Sequence, residues 1–186
     1  MHLPSLGLVA LAASAAASPV PVEETSTLEQ RGFGNFRNDI LAATNWYRHQ
    51  HGAKPLKWND KAAASAANWA KQCKWQHQSG NSYGENLAAG GFSSWFDIVN
   101  MWGHERVDYD WNKPGFSLAT GHFTQLVWKK TSSVGCAWHD CGKGNGGGAT
   151  GRFVVCEYAS PGNYQGQFTA NVGKQTIGKP GDKYHG

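Results

Sequence analysis

The residues best suited to do chemistry are two carboxylates and two imidazoles. Glu105 lies three positions after Trp102 and four before Tyr109, which at helical spacing sets a carboxylate on an aromatic face. A carboxylate withdrawn from water is costly unless it is paired. His77, in Cys73-Lys74-Trp75-Gln76-His77, and His122, in Gly121-His122-Phe123-Thr124-Gln125, are the imidazoles in polar settings that could pair with it. Glu85, in Tyr83-Gly84-Glu85-Asn86-Leu87, is the second carboxylate so placed. Spacing alone leaves open whether the four form one site or are separately satisfied.

Other motif-like arrangements dissolve on inspection. Gly142, Gly144 and Gly147 satisfy G-x-G-x-x-G, but the segment lies between two Cys-bearing strand patterns and no helix follows, so it reads as a hairpin loop and not a dinucleotide site. His104-Glu105 begins like H-E-x-x-H, yet the fifth position is Asp108. His49 and His51 are two apart at a helix end and do not face each other. Any metal must be held by residues remote in sequence.

The elements that would position these groups follow from hydrophobic period. Phe36, Ile40, Ala43 and Tyr47 predict a helix over Asn38 to about His49. Ala62, Ala66, Trp69 and Cys73 predict a second, capped by Asn59 or Asp60 and running to about Lys74. Ser93 or Ser94 caps a third to about Val107, apolar on two sides and so buried between layers. Gly121 to Trp128 fits a helix or a strand equally. Val134 to His139 and Arg152 to Tyr158 read as strands, Gly80 to Gly84 as a loop, and Lys174 to Gly186 as a patternless, mobile tail. Helices first and strands later make the fold α+β.

The chain has 186 residues, 40% apolar and 16% charged, which suits one core and excludes a charge-rich disordered chain. Nine Trp, 6 Tyr and 8 Phe make that core aromatic, and the net charge of +4 is spread too evenly for a nucleic-acid partner. Leu3 to Ala17 is an uncharged Ala/Leu/Val stretch, too short to span a bilayer, which predicts a secretory leader over 1–18 and an extracellular protein without stable membrane insertion. A Pro- and Glu-rich spacer or propeptide is expected over 19–33, one domain over 34–173 and the tail over 174–186. In that compartment Cys73, Cys136, Cys141 and Cys156 predict two disulfides, and spacing leaves all three connectivities open.

Four further blocks carry a family resemblance. Gly121-His122-Phe123-Thr124-Gln125-Leu126-Val127-Trp128 and Phe153-Val154-Val155-Cys156-Glu157-Tyr158-Ala159-Ser160-Pro161-Gly162-Asn163-Tyr164 resemble the two signatures of the CAP superfamily, the cysteine-rich secretory, antigen 5 and pathogenesis-related proteins. Tyr83-Gly84-Glu85-Asn86-Leu87-Ala88 and Trp102-Gly103-His104-Glu105 are similar to two further blocks, and the likeness covers about residues 36 to 172. Two positions depart from the pattern: Thr44 stands where the first-helix block usually has His, and Glu157 adds a negative charge in the second signature.

The resemblance implies a three-layer α-β-α sandwich, a single CAP domain, and pairing of Cys73 with Cys141 and of Cys136 with Cys156. It implies that His77, Glu85, Glu105 and His122 converge in a central cleft. Such a set suits Zn2+ or another divalent cation, and no organic cofactor is expected. It further implies sterol binding, as in secreted fungal members, through the loop carrying Tyr109, Trp111, Pro114 and Phe116, whose aromatics could cover flat apolar rings. Fatty acids are a further family ligand. The alternatives are a secreted effector or defence-type protein, and a metal-dependent hydrolase with Glu85 or Glu105 as base; the sequence is silent on oligomeric state.

Overall fold

The computed structural model describes residues 35–144 and 148–186, so the predicted leader and spacer lie outside the described residues, as does Gly147. Helix α1 (Phe36–Gln50) starts where the Asn35 side chain accepts from the Asn38 amide, and it buries Ile40, Ala43 and Tyr47 at the predicted spacing. A short strand β1 (Lys57–Trp58) leads into α2 (Asp60–Ala70), capped by Asn59, which accepts from the amides of Lys61 and Ala62. Helix α2 stops four residues short of the predicted Lys74, and Cys73 adopts a positive φ of 51° that a helix cannot hold. Strand β2 (Gly84–Gly90) begins at the last residue of the predicted loop and runs through a segment to which the sequence reading gave no element.

Helix α3 (Trp95–His104) begins with a full capping box between Ser94 and Asp97, then tightens into a 3-10 turn over Glu105–Val107. The ambiguous segment is helical, α4 (Gly121–Leu126). Strands β3 (Ser133–Asp140) and β4 (Arg152–Ala159) match the predicted pair, and a short helix α5 (Phe168–Asn171) follows.

The sheet order is β1-β3-β4-β2, with β1 parallel to β3 and the other pairings antiparallel. β4 is buried from Phe153 to Tyr158, so it reads as a continuous apolar run broken only by Glu157. Helix α2 packs on one face over Leu87, Phe153 and Val155; α1, α3 and α4 cover the other over Ala88, Val154 and Tyr158. The architecture is the expected α-β-α sandwich. Two glycines set its spacing: a Cβ at Gly135 would stand 2.2 Å from backbone atoms of Asn59 and Ala63, and one at Gly103 would stand 2.4 Å from the Tyr47 ring. Both disulfides have the implied partners, Cys73–Cys141 tying the end of α2 to the end of β3 and Cys136–Cys156 crossing two residues in register on β3 and β4.

The C-terminal tail has no regular element, as its lack of pattern predicts, but it is not loose. Arg106 donates to the carbonyls of Pro180, Lys179 and Asp182, and the Asn100 side chain closes a two-way bridge with the backbone of Tyr184. These bonds use main-chain carbonyls and amides, which no side-chain pattern announces.

The other buried guanidinium, Arg48 on α1, is wholly inaccessible and has no carboxylate beside it among its bonds. It donates to the carbonyls of Lys54, Leu126, Trp128 and Thr131 at 2.8–3.1 Å, fastening the chain that leaves α4. Arg48→Met leaves those buried acceptors unpaired, at about 1–3 kcal/mol each where water cannot reach. The expected loss in a urea titration is at least about 3 kcal/mol, whereas Arg37→Met, which breaks the exposed pair with Asp60, costs under about 0.5 kcal/mol.

Candidate functional site

Two histidine–carboxylate pairs occupy the ends of the elements just described. At the end of α3, Glu105 Oε1 meets His122 Nδ1 at 2.6 Å, and its Oε2 accepts from the Phe123 amide at 2.9 Å. The carboxylate thus joins α3 to the start of α4. Trp102 stacks on the His122 ring at 6.0 Å, which fulfils the predicted aromatic face around Glu105. In the second pair, His77 Nδ1 meets Glu85 Oε1 at 2.6 Å, and the Gln78 amide donates to the same oxygen at 3.2 Å. Its hydrogen bond to Glu85, outweighing burial, raises the His77 pKa.

The four residues are gathered as two dyads and not as one cage. Glu85 and Asn86 are neighbours on β2 and leave it on opposite faces. The Asn86 amide bonds the His122 carbonyl at 3.0 Å, so it faces the α4 layer, while Glu85 lies opposite Glu157 on the α2 side. Among the described residues, no three His, Cys, Asp or Glu side chains are spaced to hold one ion. The donor chemistry nevertheless suits a divalent cation: in each neutral imidazole whose Nδ1–H rests on a carboxylate, Nε2 carries the lone pair, the usual support behind a ligating histidine.

Glu157 was legible as a departure but not as part of a site. It is fully buried, faces Glu85 across the β2–β4 ladder and accepts a short bond from the Asn81 side chain; one oxygen of each carboxylate has no partner among the described residues. Burial, partly offset by Asn81 and reinforced by Glu85, pushes its pKa up to about 7. The signal was a carboxylate within an otherwise apolar strand.

The aromatic loop lies between the 3-10 turn and α4. Tyr109 is buried in the core, and Trp111 packs edge-on against Tyr109 and Phe123 and stacks offset over His51 at 6.1 Å with planes 8° apart. Pro114 is exposed, and Phe116 and Leu118 stand outward at 47% and 90% exposure. Two of the predicted aromatics therefore fasten the loop, and the third, Phe116, lies with one side of its ring against Gly121 and the other in water. Behind Trp111 is a cavity of about 250 Å³ lined by His51, Arg106, Trp111, Lys174, Gln175 and Pro180.

An α-β-α sandwich with two crossing disulfides, paired His and Glu at helix and strand ends, and a clamped aromatic loop defines a class of small, cross-linked domain. The chain belongs to the cysteine-rich secretory protein family, CAP, whose profile matches residues 41–158. It is 40% identical over 141 residues to pathogenesis-related protein 1A of Nicotiana tabacum, covering 72% of this chain and 80% of that protein. It is 34% identical to pathogenesis-related protein 1 of Arabidopsis thaliana, covering 86% and 92%. The match to protein PRY2 of Saccharomyces cerevisiae is 42% over 120 residues, 63% of this chain but only 34% of that longer protein. Among solved structures, that of NaASP2 with Zn2+ superposes with a TM-score of 0.56 at 21% identity, covering 77% of this chain and 86% of that one. That likeness bears on fold alone.

The raised pKa of Glu157 fixes the sign of a pH effect. Between about 4.5 and about 7 the folded chain keeps a proton that the unfolded chain releases, so this group lowers stability as pH rises through that window. Glu157→Gln removes the penalty. Its melting temperature is expected to match wild type at pH 5 and to exceed it by at least about 3 °C at pH 8 in scanning calorimetry.

Proposed function

We propose that this is a secreted sterol-binding protein whose working surface is the loop from Tyr109 to Leu118. The observation that carries the reading is the outward placement of Phe116 and Leu118 on a loop whose base is fixed by buried Tyr109 and half-buried Trp111. A sterol offers flat apolar rings, and each large apolar side chain it covers contributes about 1.5–3 kcal/mol. Secretion is supported by the uncharged stretch before Pro19, by two disulfides, and by relatives that include secreted protein PRY1 of Candida albicans. No helix among the described residues is long and apolar enough to cross a membrane.

Among the described residues no histidine is hydrogen-bonded to a Ser or Thr hydroxyl, so a hydroxyl nucleophile with its base is not assembled. The dyads carry a separate proposal: each holds its own Zn2+ or other divalent cation through the imidazole Nε2, His77 with Glu85 behind it and His122 with Glu105 behind it, water completing the coordination. A bound ion would supply Lewis acidity; the carboxylates orient the rings.

Radiolabelled cholesterol binding to the purified secreted chain tests the first reading. The double variant Phe116→Ala, Leu118→Ala is expected to bind at least about tenfold more weakly, and Leu118→Ala alone, at 90% exposure, to bind more weakly with an unchanged melting temperature. Equal binding removes the loop from the account. For the dyads, titration calorimetry with Zn2+ should give a heat of binding that His77→Ala and His122→Ala each reduce and the double variant abolishes, with cholesterol binding unaffected.

A further inference from the structure

Among the described residues His51 is the buried histidine, and it belongs to neither dyad. It is 1% exposed, at the C-cap of α1, and its Nδ1 lies 2.8 Å from the Gly173 carbonyl. A carbonyl can only accept, so Nδ1 carries the proton of the neutral ring and Nε2 carries the lone pair. Burial, with Arg106 nearby, pushes its pKa down to about 4, so the ring is neutral at physiological pH. Nε2 has no hydrogen-bond partner among the described residues, although it is buried and its ring lines the 250 Å³ cavity. A buried acceptor left unpaired is costly.

The walls of the cavity restrict what could pair with it. Arg106 directs its guanidinium into four acceptors, Gln50 Oε1 and the carbonyls of Pro180, Lys179 and Asp182, and lies over the Tyr47 ring, so it lends positive potential with most of its donors committed. Lys174 adds a second cation. An ammonium donor would be repelled by both. An ionised carboxylate would be attracted by the cations but would set lone pairs against the lone pair of Nε2. A neutral hydroxyl satisfies the nitrogen and meets neither objection. At about 250 Å³ the cavity is below the usual range for a whole small-molecule ligand, about 300–1,000 Å³, and so admits one end of a larger one.

We propose that this cavity receives the hydroxyl end of an apolar alcohol, with His51 Nε2 accepting its hydrogen bond and Trp111 covering the adjoining apolar surface. The inference deepens the sterol reading, resting on it for the body of the ligand, and assigns the sterol hydroxyl to a residue outside the aromatic loop.

The test compares cholesterol with hydroxyl-free cholestane and with cholesterol methyl ether on the intact secreted chain, for wild type and His51→Phe. Wild type is expected to bind cholesterol about tenfold or more tightly than either analogue, as one buried hydrogen bond warrants, and His51→Phe to lose that preference. Equal wild-type affinity for all three, the result if solvent alone serves Nε2, overturns the proposal without relying on a variant that might misfold. A preference that persists in His51→Phe also overturns it. If wild type binds no sterol, the sterol reading fails by itself, and 1-dodecanol against dodecyl methyl ether decides the matter: a His51-dependent preference for the alcohol sustains the proposal, and no preference or no binding ends it.

Discussion

A guanidinium sealed in the interior with carbonyls as its partners is the constraint on which this structure turns. Burying a charge costs several kcal/mol unless its donors are met, and Arg48 meets the requirement with four main-chain oxygens from two stretches of chain, the loop after α1 and the segment that ends and follows α4. Because one of those oxygens belongs to the last residue of α4 and two follow it, the geometry of Leu126 to Thr131 is dictated from α1. Helix α4 then holds Phe123 where Tyr109, Trp111 and His51 converge on it, and holds His122 where Glu105 can reach it. Arg106 repeats the device at the same C-terminal end of α1, binding Gln50 and three carbonyls of the tail. Two charges that carry no chemistry of their own thus fix the loop, one dyad and the cavity.

That dependence explains what was readable in advance. Helices α1 and α3 were evident because their apolar period and caps lie within one segment, as do the alternating faces of β3 and β4. Strand β2 was missed because Gly84-Glu85-Asn86-Leu87-Ala88-Ala89-Gly90 has small residues where strands usually have branched or aromatic ones; its place at the sheet edge follows from pairing with β4, a long-range fact. Gly84 belongs there because a Cβ would stand 2.0 Å from Gln125 Oε1, another contact remote in sequence. The tail looked patternless since its ties are made by backbone atoms. The structure pairs His77 with Glu85 and His122 with Glu105, whereas the resemblance implied one cleft for all four; the sequence could not show that adjacent positions on β2 send Glu85 and Asn86 to opposite faces, which divides the four into two dyads.

The aromatic loop shows how packing and recognition share one segment. Exposure climbs along it, from Tyr109 in the core through half-buried Trp111 to Phe116 and Leu118 in water. The inner residues lose freedom once, on folding, so the outer ones are presented on a fixed base and little further ordering is needed when a guest arrives. Trp111 has a part in both roles, since one side of its ring packs on the body while the side chain also lines the cavity.

Electrostatics then divide the domain's possible ligands. The acidic groups Glu85, Glu157 and Glu105 gather near β2 and the end of α3, whereas Arg106 and Lys174 border the cavity at His51. A cation is drawn toward the first region and repelled by the second. Long-chain acids, the other ligand class the resemblance implies, feel the pull of Arg106 and Lys174, but an ionised head offers no proton to a neutral imidazole whose other nitrogen is already committed to Gly173. The cost of leaving Nε2 unpaired therefore remains with an acid and is removed by an alcohol. Shape alone would admit both, so it is the fixed tautomer of His51 that separates them.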